Sequence, residues 1–348
     1  MFSRRGILAG AGTAVLAAAS LVADTGPSGS GWLDAVQGGH QAGIATPPLP
    51  FLSIAGFDVV TTDRNELVSV LRRWTDAVAT LSGGDRTGLT VTVGFGPSLF
   101  GDRFGILDRR PAALVPLPPF AGEALDPTQS DGDLCTQVCA TDPDTAHQAI
   151  RTIVNAARPY ARLRWRQTGF RSGGADPRGL LGFRDGTANV STSDGDAMSR
   201  YVWVRDGGSW MHGGTYLVVR RIRLLLDTWD RVDLAGQEAV LGRRQDTNKR
   251  IDAPANAHVK LATAASGADR ILRRSYSYDA GADPNGLLDS GLIFICFQRD
   301  PGRQFVAIQR RLAERDALNA FSQHIASAVF ACPPGHAEDA WIGAGLFR

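Results

Sequence analysis

The sequence predicts an α+β fold in two successive halves, each an antiparallel sheet with helices on its flank. Three observations carry this. Apolar residues recur with a period of two in short segments and with helical spacing in longer ones. Their order runs strand, helix, strand, strand, helix, strand, and then starts again. The chain has 348 residues, which suits two domains, and its 40 glycines and 18 prolines supply turns at a density foreign to a helical bundle.

In chain order, Phe51–Val60 reads as a strand. Asn65–Leu81 reads as a helix with Leu67, Val70, Leu71, Trp74, Val78 and Leu81 on one face. Leu89–Val93 and Leu134–Ala140 alternate as strands, Asp144–Ala157 has helical spacing, and Leu163–Gly169 completes the first set. The second set takes strand material from Tyr201 and Gly214–Asp227 and a short helix from Ala235–Gly242. An apolar strand at Leu287–Phe297, a long amphipathic helix at Phe305–Phe321 and a last strand at Ser327–Phe330 follow. This rhythm predicts two ferredoxin-like units, residues 46–195 and 196–348, with the functional site between them.

The N-terminus reads as an address. Ser3-Arg4-Arg5-Gly6-Ile7-Leu8 opens an uncharged apolar run to Val22, with Ala17-Ala18-Ala19 as a small-residue processing site. Paired arginines with a hydrophobic residue two places on fit a twin-arginine export signal. The run is short and weakly apolar against the ~20 residues that span a bilayer, and no later run reaches that length. The expectation is therefore a cleaved signal, a flexible lead-in to about residue 45, and an exported protein without stable membrane insertion. The formal charge of +2 falls near zero once Arg4 and Arg5 leave. That excludes the basic surplus of a nucleic-acid binder and favours a small substrate.

Cys135 and Cys139 lie four residues apart on one predicted strand, about 13 Å and too far for a disulfide. With Cys296 and Cys332 they read as small buried hydrophobes. Gly94-Phe95-Gly96 fails as a dinucleotide fingerprint because Pro97 follows and Gly101 comes too late. The six histidines form no i, i+4 pair, which argues against a multi-histidine zinc site. A single histidine such as His258 still suffices where a porphyrin supplies the remaining ligands. Gly182-Phe183-Arg184-Asp185-Gly186 is a glycine-tightened turn that lets backbone approach a flat ligand and aims one carboxylate. Arg273 and Arg274 are adjacent permanent cations suited to a developing anion, and the sequence leaves open which of them faces it.

Taken together, these segments resemble the dye-decolorizing peroxidase family. Gly182–Gly186 is similar to its G-x-x-D-G motif. Ala257-His258-Val259 resembles its proximal-histidine segment, and Ile271-Leu272-Arg273-Arg274 before Tyr-Ser-Tyr its distal-arginine segment. Thr92–Phe104, Asp133–Ala140, Gly213–Arg223 with Trp229-Asp230, and Gly291–Pro301 extend the likeness over most of residues 50–345. The nearest branch is the exported one that includes the bacterial deferrochelatase/peroxidase. The sequence departs in two places: Arg244–Asn256 is shorter than the corresponding family segment, and Ser275 stands where glycine is usual.

The resemblance implies haem b held by His258, the metal ligand, in or beside the C-terminal half. It implies Asp185 as the acid-base group acting on hydrogen peroxide and Arg273, or Arg274, stabilising charge as the O–O bond breaks. Arg243 would pair a haem propionate, Gly186, Thr187 and Ala188 would run along the haem, and Leu292 and Phe294 would wall the distal side. Dyes, phenols and other bulky reductants would be oxidised, with surface Trp or Tyr residues relaying electrons and Tyr276 and Tyr278 as candidates. The alternatives are a deferrochelatase that frees iron from haem, with iron-uptake partners, and a non-catalytic haem-binding or electron-transfer protein. Self-association is left open.

Overall fold

The computed structural model describes residues 39–82, 88–173, 176–184, 189–206, 209–263, 267, 269–337 and 339–348. The export signal expected at the N-terminus lies outside them.

The first half follows the predicted order: β1 (Phe51–Val59), a helix Arg64–Ser82, β2 (Leu89–Phe95), β3 (Leu134–Ala140), a helix Pro143–Ala157 and β4 (Ala161–Phe170). Its strands lie in the order β2-β3-β1-β4, all antiparallel. The first helix buries the predicted stripe of Leu67, Val70, Leu71, Trp74, Val78 and Leu81. The Trp74 indole N–H donates to the Ile153 carbonyl of the second helix at 3.0 Å. That second helix starts where Asp142 accepts the Thr145 backbone N–H and Pro143 occupies the first turn, two features that satisfy or remove orphan donors. Gly56 marks a register shift in β1 and has the Trp165 indole lying where a Cβ would stand, 2.5 Å away.

The second half holds β5 (Thr215–Leu224), β6 (Leu272–Arg273), β7 (Tyr276–Ala282), β8 (Leu288–Gln298) and β9 (Ser322–Cys332). Here β5 pairs with both β9 and β8, β8 with β7, and the short β6 with the far end of β8. The two halves do not keep separate sheets. Phe95 pairs with Ala331 and Phe170 with Ser277, joining one nine-stranded antiparallel sheet that the β5–β8 pairing closes into a ring. This corrects the expectation of two independent sheets. The strands at each seam have edge groups that would otherwise lack ladder partners, and one register pair at each seam satisfies part of them.

Alternation along each strand then divides the core. One set of side chains forms an inner cluster with Leu52, Ile54, Cys135, Cys139, Leu217, Tyr276, Ile293, Ile295, Phe297 and Phe330. The other set, with Val218, Cys296 and Val329, packs with the helices. All four cysteines are free and buried, as the sequence indicated.

Two further expectations are corrected. Residues 40–45 are not a flexible lead-in: the Gln41 amide bridges both backbone groups of Val93 and the Pro333 carbonyl, and Ile44 is fully buried. The predicted helix Phe305–Phe321 is broken. A wider turn at Gly302–Val306 leads into a helix Ala307–Arg315, which ends at Asp316, and a tighter turn Ala317–Phe321 follows.

Candidate active site

His258 opens a short helix, His258–Ala262, with its imidazole 28% exposed. Its Nδ1 lies 2.6 Å from Oδ2 of Asp316, whose side chain is 3% exposed. The other carboxylate oxygen, Oδ1, accepts the Leu318 backbone N–H at 2.9 Å. A carboxylate is acceptor-only when ionised, so the contact puts the imidazole hydrogen on Nδ1 and leaves the Nε2 lone pair for a further ligand. The Ala317 N–H also donates to the Asn256 carbonyl, which ties the Asp316 turn to the approach of His258.

Arg243 belongs to the same neighbourhood. It follows Gly242, which has φ +80° and ends the helix Leu234–Leu241. A Cβ at Gly242 would stand 3.2 Å from Ala257 Cβ and 3.7 Å from Val259 Cβ, the neighbours of His258 on both sides. Arg243 reaches only Asn248 among the described residues, at 3.4 Å, and no carboxylate. Burial and then the repulsion of Arg250 and Arg273 hold its pKa below the ordinary arginine value. A half-buried cluster of guanidiniums fits an anionic ligand.

The two candidate arginines separate cleanly. Arg273 pairs in register with Cys296, so it shares the sheet face of Arg220 and Phe294 and lies near Arg243. Arg274 points to the other face. It is 4% exposed, donates to the carbonyls of Thr46 and Pro47, and lies beside Cys139 and Tyr276, with burial lowering its pKa. Leu292 and Phe294 are on the Arg273 face, alternate along β8 and remain only half-buried, as does Ile222 opposite Leu292. Phe294 packs its ring 6.0 Å from Phe305.

Asp185, Gly186, Thr187 and Ala188 lie outside the described residues. Both flanks of that segment are fixed. On one side Phe183 is buried against Trp229, and Arg178 donates to the carbonyls of Gly182 and Gln245 at 2.8 Å each. On the other, the Asn189 amide clamps the backbone of Arg273 in both directions: Nδ2 donates to its carbonyl at 2.8 Å and Oδ1 accepts its N–H at 2.9 Å. The chain at Asn189 is thus pinned to the strand that carries Arg273. Asn189 and Asp316 are the positioning residues that sequence reasoning missed. Asn189 stands three residues past the G-x-x-D-G motif without an evident task, and Asp316 is hidden in helix-forming Ala-Glu-Arg-Asp-Ala-Leu. Tyr276 and Tyr278, considered above as surface relays, are buried at 1% and 3% exposure on the inward side of the ring. Their hydroxyls donate to the Leu49 carbonyl and to Asp289.

Two family models cover nearly all of the described chain: one described as Dyp-type peroxidase, N-terminal, over residues 41–171, and one as Dyp-type peroxidase, C-terminal, over residues 176–337. The chain belongs to the Dyp-type peroxidase family. It is 35% identical to the dye-decolorizing peroxidase of Thermobifida fusca, covering 99% of this chain and 97% of that one. It is 32% identical to the deferrochelatase of Escherichia coli O157:H7, with the same coverages. Among solved structures it resembles ferric DtpA of Streptomyces lividans, with TM-score 0.84 and 37% identity over 88% of this chain and 95% of that one. DypB of Rhodococcus jostii, solved as a variant in complex with heme, shares the fold at TM-score 0.69 and 24% identity, over 84% of this chain and 95% of that one. As a member of this family the protein is a peroxidase, acting on hydrogen peroxide and a reductant.

Proposed function

We propose that this chain is a haem b peroxidase of the dye-decolorizing type, exported through the twin-arginine route. One observation carries the reading: an imidazole with Nδ1 locked to a buried carboxylate stands beside a cluster of arginines that no carboxylate of the described chain neutralises at Arg243. That donor set fits a flat ligand with a metal at its centre and carboxylates at its rim. His258 Nε2 would hold the iron, Arg243 would pair a propionate, and Leu292 and Phe294 would form the apolar wall. When bound, the haem supplies the redox centre at which peroxide is reduced to water and reductants are oxidised.

The chain's own groups do the rest. Asp316 fixes the tautomer and the ring orientation of His258 as a ligand. Arg273, held by Asn189 through its backbone, stabilises negative charge that develops as the O–O bond breaks, a contribution set before reaction. Asp185 moves the peroxide proton from one oxygen to the other as general base and then acid. Gly186, Thr187 and Ala188 complete the contact surface. We further read each half as a ferredoxin-like domain, residues 46–195 and 196–348, with the β-α-β-β-α-β order and the β4-β1-β3-β2 arrangement of the first half in support.

The test is the reaction of the purified haem-loaded protein with hydrogen peroxide, followed by absorbance. Asp185→Asn keeps haem and slows the reaction about 100-fold; unaltered peroxide kinetics in that variant would remove Asp185 from the mechanism.

A further inference from the structure

We propose that the cavity between Arg171 and Arg274 is a binding site for a small organic acid, beside the site proposed for haem. The cavity has a volume of about 300 Å³, at the lower end of the range for small-ligand sites. Arg171, Arg274 and Thr46 form part of its wall, and Pro48, Val190 and Leu272 supply apolar surface. None of its described lining residues is acidic.

Arg274 gives the first reason. It is 4% exposed, and two of its nitrogens donate to the carbonyls of Thr46 and Pro47. Its Nε is buried without a hydrogen-bond partner among the described residues. Arg171 is half-buried, donates to the Ser275 carbonyl at 3.0 Å and lies 5.5 Å over the Tyr276 ring. No carboxylate of the described residues pairs with either guanidinium. Buried charges are ordinarily paired, whereas here two like charges share one wall. Burial lowers the pKa of Arg274 most; Cys139 and Tyr276 oppose that shift, and Arg171 adds to it. A carboxylate supplies the missing counter-charge and offers two oxygens to a guanidinium.

The rest of the wall selects among anions. Guanidiniums recognise carboxylate and phosphate alike. Pro48, Val190 and Leu272 offer nothing to a bare phosphate, and the cavity is larger than a phosphate fills. A carboxylate on a short carbon skeleton uses both the charged and the apolar parts. The Thr46 hydroxyl accepts the Gly43 N–H at 3.0 Å, which leaves its own hydrogen to donate to the acid. Asn189 and Arg273 border the same cavity, and Asn189 clamps the Arg273 backbone. The bound acid thus lies against the segment that holds Arg273, while the Arg274 side chain that faces it belongs to the opposite side of the sheet.

The experiment is calorimetric titration of the haem-loaded protein at neutral pH with succinate, with its neutral counterpart succinamide, and with inorganic phosphate. One succinate binds per chain. Succinamide lacks the charge and phosphate lacks the carbon skeleton, so each binds at least about tenfold more weakly. Arg171→Gln weakens succinate about 10–100-fold, the loss expected for one hydrogen bond to a charged group. Thr192→Glu sets a carboxylate at an exposed position of the lining and weakens succinate by repulsion. Should Arg171→Gln fail to fold, Thr192→Glu decides alone. Unaltered succinate affinity in either folded variant, or succinamide binding as well as succinate, overturns the site. Phosphate binding as tightly as succinate overturns the organic acid as its ligand. The same titration runs on the haem-free chain, so a protein that takes up no haem sinks the proposed function and still reports on the cavity.

Discussion

Replacing Asp316 by Asn removes a charge and almost no volume from the structure around His258. The amide oxygen can still accept the Leu318 N–H, the role Oδ1 has now at 2.9 Å, so the turn after the helix Ala307–Arg315 keeps its cap. What is lost is the charge-assisted bond at 2.6 Å between a carboxylate 3% exposed and Nδ1. Hydrogen bonds to charged groups contribute about 1.5–3 kcal/mol against about 1 for neutral ones, so the substitution costs His258 roughly 1–2 kcal/mol of orientation. Independently, loss of a group that orients a metal-bound histidine costs about 10–100-fold in affinity, which is about 1.4–2.8 kcal/mol at ~1.4 kcal/mol per decade. The two estimates overlap. Haem transfer to excess apomyoglobin should therefore run about tenfold or more faster from Asp316→Asn than from wild type, with the thermal unfolding of both proteins nearly the same. Equal transfer rates would refute the argument that Asp316 holds the imidazole for a ligand.

Further expectations follow from other parts of the molecule. Arg273→Leu should keep the fold and cut the rate of reaction with peroxide about 100-fold or more. Arg274→Leu should instead lower thermal stability, because it strips the carbonyls of Thr46 and Pro47 of their buried donor; stopped-flow and calorimetry on the pair distinguish these outcomes. Arg220 and Glu123 form an ion pair in which both side chains are nearly inaccessible, and Arg220 is also flanked by the rings of Phe120 and Phe305. Glu123→Gln leaves the guanidinium buried without a counter-charge and should cost about 3–5 kcal/mol in denaturant unfolding. His324 has its pKa lowered from 6.5 to about 3, first by burial and then by Arg220. The unfolded chain takes up that proton below pH 6.5 and the folded chain does not. His324 thus stabilises the fold fully above 6.5, and stability is lost as pH falls from there toward 3, by about 1 kcal/mol per unit. His324→Phe should flatten that slope in urea titrations across this range.

The local elements were legible because each is written in local periodicity. The helix stripe from Leu67 to Leu81 and the strand Leu134–Ala140 fall where the spacing put them. Closure of the sheet was not legible. It depends on single pairings such as Phe95 with Ala331, residues far apart in sequence that carry no mutual signal. The segment after residue 39 misled for a different reason. Its Gly and Pro content reads as a linker, whereas Gln41 anchors it by one side-chain amide and Ile44 by burial, neither of which has a period. Within the site, His258 and Arg273 stood out by residue type and motif and Arg243 by resemblance, and the structure packs Gly242, next to Arg243, against the neighbours of His258 and brings Arg243 near Arg273. Strand alternation puts Arg273 and Arg274 on opposite faces, Arg273 on the one near Arg243. Asp316 escaped because its neighbours all favour helix. Only its position as the cap of a new turn, with its carboxylate turned back to His258, separates it from an ordinary surface acid.

The most direct measurement is the absorbance spectrum of the purified chain titrated with haem, alongside His258→Ala with and without added imidazole. Wild type should take up one haem per chain with an intense Soret band, the variant should lose it, and imidazole should restore it. A chain that stays colourless, or a variant that binds haem as wild type does, would contradict the assignment of His258 as the iron ligand.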